Sequence, residues 1–96
     1  MDNDQIARVM RAYGLSPGEA RLTIFFASEA RVFSLFEIAN FLGKRKQANS
    51  DWPAVNNLIK VMISKIRSKI GKQLIANVWG IGYELTPDAD LLEVLK

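Results

Sequence analysis

Apolar residues return every three or four positions along most of this chain, and the pattern turns strand-like only near residues 30–33 and after residue 73. Ile6, Val9 and Met10 predict a helix over residues 4–12 that Gly14 closes. Ser16-Pro17-Gly18-Glu19 combines a capping box with proline at the first helical position. It starts a second helix, to about Ser28, that carries Ala20, Leu22, Ile24, Phe25 and Phe26. Residues 30–33 are apolar except for Arg31 and leave room for one strand. Ser34-Leu35-Phe36-Glu37 is another capping box, opening a short helix with Ile38, Phe41 and Leu42 inward and Gly43 at its end. Residues 44–51, KRKQANSD, have no apolar period and are expected to form a loop. Asp51 then caps a long helix with Pro53 in its first turn, ending before Gly71. Residues 74–78 and 83–85 predict a hairpin across Gly80 and Gly82. Thr86-Pro87 reads as a further cap, opening a tail helix with Leu91, Leu92, Val94 and Leu95.

This order predicts one α+β domain over residues 1–96. An N-terminal helix (1–14) extends a core (15–86) of three helices and a C-terminal β-hairpin, and a C-terminal helix (87–96) follows. At 96 residues and 49% apolar, the chain can bury a modest core but not a large catalytic cleft. It contains no cysteine and no histidine. Disulfides, thiolate chemistry, zinc sites built on those residues and histidine-dependent triads are therefore excluded. Gly80-Ile81-Gly82 lies in a hairpin, not at a strand-to-helix turn, so it is not a phosphate cradle. The expectation is a protein without enzymatic activity, metal or cofactor. The acidic start MDNDQ is followed by no signal-peptide pattern, and no run reaches the roughly 18 apolar residues of a membrane span. A cytoplasmic, nucleoid-associated protein is expected.

The net charge of +3 conceals a strong segregation. Residues 43–72 hold eight basic side chains and one acid, a net +7, whereas the remainder holds five basic and nine acidic ones, a net −4. Such a division suits a polyanion on one surface. Projected at about 100° per residue, helix 53–70 has Val55, Ile59, Met62 and Ile66 on one side, with Ile63 and Ile70 beside them, as a core stripe. The opposite side carries Asn57, Lys60, Val61, Ser64 and Ser68, with Lys65 and Arg67 on its shoulders. An amide can pair with adenine, an ammonium can donate to guanine, and a branched methyl can touch thymine. Lys65 and Arg67 suit phosphates, and Lys69 and the Lys44, Arg45, Lys46 cluster extend the basic surface. A basic helix joined to a hairpin is the arrangement that places a helix in the DNA major groove with a β-wing beside it.

These residues resemble the winged helix-turn-helix DNA-binding domain of bacterial response regulators typified by the porin and phosphate-starvation regulators. The resemblance covers about residues 15 to 86. It rests on Leu15-Ser16-Pro17-Gly18-Glu19, on Ser34 to Glu37, on Ile63-Ser64-Lys65-Ile66-Arg67-Ser68-Lys69-Ile70, and on the motif from Val78 to Leu85, with Gly80, Gly82, Tyr83 and Leu85 in place. It implies a sequence-specific, double-stranded-DNA-binding transcriptional regulator. Asn57, Lys60, Ser64 and Lys65 would face the major groove and Arg67 a phosphate. Asn77 stands at a phosphate-binding position, and residues 44–51 stand where relatives contact RNA polymerase. Tyr83 would pack on the recognition helix, and Gly80 and Gly82 would shape the wing turn. Paired half-sites would call for a homodimer.

The chain departs from the family in three places. Trp79 stands at the wing tip, where the family usually has arginine; sugars, a partner protein or the core could receive it. Ala76 and Glu84 replace other basic wing positions. The family's preceding four-stranded sheet and receiver domain have no counterpart, so control by phosphorylation of an internal aspartate is not expected. The tail helix either covers the core or forms a dimer seam. The uncharged wing and Trp79 also fit a different role, a winged-helix protein-interaction module such as an antirepressor or polymerase-binding factor.

Overall fold

Six helices and a three-stranded antiparallel sheet make up the computed structural model, which describes residues 1–96. α1 (Asn3–Tyr13) and α2 (Pro17–Ala27) precede β1 (Phe33–Ser34). α3 (Leu35–Phe41), α4 (Arg45–Ser50) and α5 (Trp52–Ile70) follow, then β2 (Ile75–Val78), β3 (Gly82–Leu85) and α6 (Ala89–Leu95). No helix is long and apolar enough to cross a membrane.

Both capping boxes close as the sequence requires. The Ser16 hydroxyl accepts the Glu19 N–H at 3.2 Å while Glu19 Oε1 accepts the Ser16 N–H at 2.9 Å. Ser34 and Glu37 repeat the exchange at 3.1 and 2.9 Å. Each satisfies two amides that a helix start leaves without partners, and a cap of this kind contributes about 1 kcal/mol. α5 begins at Asp51, whose carboxylate accepts the Ala54 N–H at 3.4 Å. Its buried stripe is Val55, Ile59, Ile63, Ile66 and Ile70. Met62 is half-buried, so the centre of that stripe lies nearer Ile63 than the projection placed it. α2 packs against α1, α5 and β3 at once, and its Leu22, Thr23 and Phe26 are wholly buried.

Three local expectations are corrected. Residues 44–51 are not a loop. Six of them form α4, where Ala48 N–H donates to Lys44 O at 2.8 Å and Ala48 is the one buried side chain. A helix of one and a half turns with a single apolar anchor has no period to display. The tail helix starts later than residue 87. Asp88 is its cap, accepting the Leu91 N–H at 2.8 Å, whereas the Thr86 N–H donates to Leu74 O at 2.8 Å and closes the base of the hairpin. Of residues 30–33, only Phe33 enters the sheet.

The strand order is β1-β3-β2. Phe33 faces Tyr83 and Ser34 faces Gly82, while Ile75 faces Leu85 and Asn77 faces Tyr83. Gly82 is needed for this crossing rather than for the turn. A Cβ there would lie 1.9 Å from the Phe33 carbonyl oxygen. The turn itself depends on Gly80, at φ 77, with the Ile81 N–H donating to Val78 O at 3.0 Å. A glycine of positive φ at the third of four turn positions is the type II pattern.

α1 and α6 close the opposite end. Gln5 Nε2 donates to Leu95 O at 3.0 Å, and Arg8 donates to Val94 O at 3.2 Å and Lys96 O at 2.8 Å. The last carbonyls of α6, which no helical amide reaches, thus find donors on α1, one of them cationic as the helix dipole favours. Leu91 is fully buried, and Val94 and Leu95 pack against the core. Leu92 points outward.

The glycines separate two effects in denaturant unfolding. Gly82→Ala is expected to destabilise the fold by about 1–3 kcal/mol through its collision with the Phe33 carbonyl. Gly18→Ala, whose added methyl would meet nothing nearer than Met62 Cε at 4.0 Å, is expected to stabilise it by about 0.4–1 kcal/mol through the unfolded chain.

Candidate nucleic-acid interface

The core stripe of α5 faces inward, so the remaining side of the helix is turned out beside the hairpin. Between them runs a groove of about 550 Å³. Lys60, Ser64, Arg67 and Ser68 line it from the helix, Lys72 from the following turn, and Asn77 from β2. The helical residues sit at i, i+4, i+7 and i+8, the spacing of one continuous face. No acidic side chain lines the groove. Asn57, Val61 and Lys65 are exposed as well but do not line this groove. The predicted reading face therefore splits into a half walled by the hairpin and an open half.

Three of the residues expected to meet DNA donate hydrogen bonds inside the molecule. Arg67 is half-buried, and its Nε and Nη2 donate to the Ile75 carbonyl oxygen at 3.0 and 2.6 Å. Its guanidinium carbon lies 5.8 Å from the centre of the Tyr83 ring. Arg67 therefore ties α5 to the hairpin, although its charge still borders the groove. Lys69 donates to Glu19 Oε1 at 2.9 Å, pinning α5 to the start of α2. Burial raises the Glu19 carboxyl, but the Ser16 N–H and the Lys69 ammonium outweigh it and hold its pKa below the ordinary value. The Ser68 hydroxyl donates to Lys65 O at 2.8 Å. These arrangements were not legible in the sequence, because a basic residue on a helix shoulder looks the same whether it meets solvent or a carbonyl.

The basic cluster at α4 forms a separate patch. Arg45 and Lys46 are exposed and Lys44 is half-buried. Arg45 and Phe36 border a depression of about 430 Å³ on the α3–α4 side. Phe36 stacks on Trp52 with ring centres 4.9 Å apart and planes 24° from parallel. The nearby acid, Glu37, is bound by Arg31, with oxygens 3.1 and 2.7 Å from the guanidinium. That bond, with the Ser34 N–H, drops the Glu37 pKa from 4.5 to about 2. Arg31 also pairs with Glu29.

Trp79 does not fold back onto the core; it is 92% exposed. Beneath it a depression of about 260 Å³ is shared by Trp79, Ile81, Asn77, Lys60, Leu35 and Asn56. Asn56 Oδ1 is buried there without a hydrogen-bond partner. Asn56, Lys72 and Ile81 are border residues that the helical projection missed. Asn56 is four residues before Lys60, a spacing that signals a shared face. Lys72 and Ile81 belong to turns, where no period applies. No group of acidic side chains is placed to share a metal ion.

Compared with protein-family models, curated proteins and solved structures, the chain matches none.

Arg67→Ala is expected to lower the thermal unfolding midpoint clearly, whereas Lys65→Ala leaves it within experimental error; differential scanning fluorimetry of the two variants checks the assignment. Acid should weaken the fold in a defined window. Glu37 titrates near 2 when folded and near 4.5 when released, and Glu19 is shifted in the same direction. A depressed folded pKa contributes stability that is complete above the unfolded value and lost as pH falls through the folded one. The midpoint is expected to fall from about pH 5 to about pH 2, and Glu37→Gln should flatten that fall.

Proposed function

We propose that this chain is a winged helix-turn-helix domain that binds double-stranded DNA sequence-specifically and regulates transcription. α5 enters the major groove and the β2–β3 hairpin is the wing. The observation that carries this reading is the acid-free groove bordered by Lys60, Arg67 and Lys72 between an outward helix face and a hairpin. A major groove about 12 Å wide admits one α-helix. Asn57, Lys60, Val61 and Ser64 are the residues for base edges, and Lys65, Lys72 and Asn77 are those for phosphates. The resemblance over residues 15 to 86 supports the same assignment. Lys44, Arg45 and Lys46 on α4 take either a neighbouring phosphate or an RNA polymerase surface. Two copies on half-sites about 34 Å apart would supply the specificity one small domain lacks. Activity by binding alone, in the cytoplasm and on the nucleoid, needs no cofactor and no catalysis.

The exposed Trp79 and Ile81 favour a second reading, a module that binds another protein. Selection of random duplexes by the purified protein separates the two. An enriched motif supports the first, and no enrichment beside a tight protein partner supports the second.

The combined variant Lys60→Ala, Lys65→Ala, Lys72→Ala leaves Arg67 in its structural place. It is expected to lower affinity at least tenfold. The slope of log affinity against log salt should fall by roughly 2, at about 0.9 for each of the two phosphates that Lys65 and Lys72 no longer neutralise. Unchanged binding to the selected duplex would overturn the assignment of the face.

A further inference from the structure

The wing tip is built from two large apolar side chains around a bare glycine. Trp79 is 92% exposed and Ile81 57% exposed, and Gly80 between them has no atom within 4 Å of where a Cβ would stand. The base of the tip is tied by hydrogen bonds. Val78 is paired with Gly82, the Ile81 N–H is bonded to Val78 O, and Arg67 anchors the other end of β2 through the Ile75 carbonyl. Nothing in the chain covers the Trp79 ring. The depression beneath it is bordered by Lys60, which also borders the basic groove, so tip and groove form one continuous surface. The wing strands themselves offer no cation, because the opposed pair Ala76 and Glu84 is neutral and acidic. This tip cannot follow a narrow minor groove by charge, as an inserted arginine does.

We infer that Trp79 is a wedge. This rests on the DNA-binding reading of α5. With the helix in the major groove, the wing meets the adjacent minor groove, and the Trp79 ring enters a base step there, with Ile81 beside it. An apolar side chain inserted in this way unstacks the step and bends the duplex toward the major groove. The cationic groove supplies the attraction that brings the apolar tip to a polyanion, and the flat indole matches the stacking face of a base. The class of site follows from the physics. Pyrimidine–purine steps such as TA and CA unstack most easily, so the wing selects them over stiff A-tracts.

The test uses the full chain with duplexes enriched from a random library, carrying 2-aminopurine at successive steps and a fluorophore pair at their ends. The wild type is expected to raise 2-aminopurine fluorescence at one step beside the helix footprint. It should also shorten the end-to-end distance, reporting a bend of roughly 20–90°. Trp79→Phe should keep both signals in weakened form. Trp79→Ala, at a fully exposed position, should stay folded by circular dichroism and still bind, with both signals lost and affinity reduced about tenfold. Trp79→Arg should recover affinity without the bend and shift selection from TA and CA steps toward A-tracts. Binding by the wild type without unstacking or bending overturns the wedge and leaves the DNA reading intact. A Trp79→Ala variant that bends DNA like the wild type does the same. A wild type that enriches no duplex, with Trp79 protected by a protein instead, overturns both.

Discussion

The burial of one side of α5 is the constraint on which the rest of the structure depends. Val55, Ile59, Ile63, Ile66 and Ile70 are all buried in the single core. Each contributes about 1.5–3 kcal/mol by leaving water. The five side chains fill one face of nineteen residues, so the opposite face has no choice but to be solvated. Its polar and basic residues are presented because the isoleucines are satisfied, and the helix cannot rotate without exposing methyls and burying ammonium groups. α2 and α3 shape the other side of this seat, and the sheet closes it through Ile75, Tyr83 and Leu85.

Charge on that helix serves two purposes. Lys60, Lys65 and Lys72 are free of carboxylate partners and remain available to an anion. Lys69 and Arg67 fix the helix to α2 and to β2. Arg67 and Lys69 thereby hold the helical wall of the groove to the rest of the fold. The acids near the basic face are neutralised in the same local way, Glu19 by Lys69 and Glu37 by Arg31.

The hairpin follows a different logic. Gly82 lets β3 pass against the Phe33 carbonyl, which ties the hairpin to β1 and so to the body of the domain. Gly80 sharpens the turn beyond it. Both glycines are structural, and the chemistry of the tip is left to Trp79 and Ile81.

The sequence by itself determined the elements whose signals are local. The two serine–glutamate boxes, the glycine at the end of α5 and its apolar stripe, read with Met62 too near its centre, each act locally, so composition and spacing suffice to read them. The orientation of α5 was legible for the same reason. α4 was not, because one buried alanine in six polar residues shows no period. Nor was the start of α6, where Asp88 rather than Thr86 meets the free amides. Only the tertiary structure decided which cations are available. Arg67 meets a carbonyl eight residues on, and Lys69 meets a carboxylate fifty residues back. It alone showed that Trp79 stands clear of the core and that Asn56 and Lys72 border the site. Partners brought together by chain folding leave no mark in local spacing, because their energies depend on distances that exist only once the core has closed.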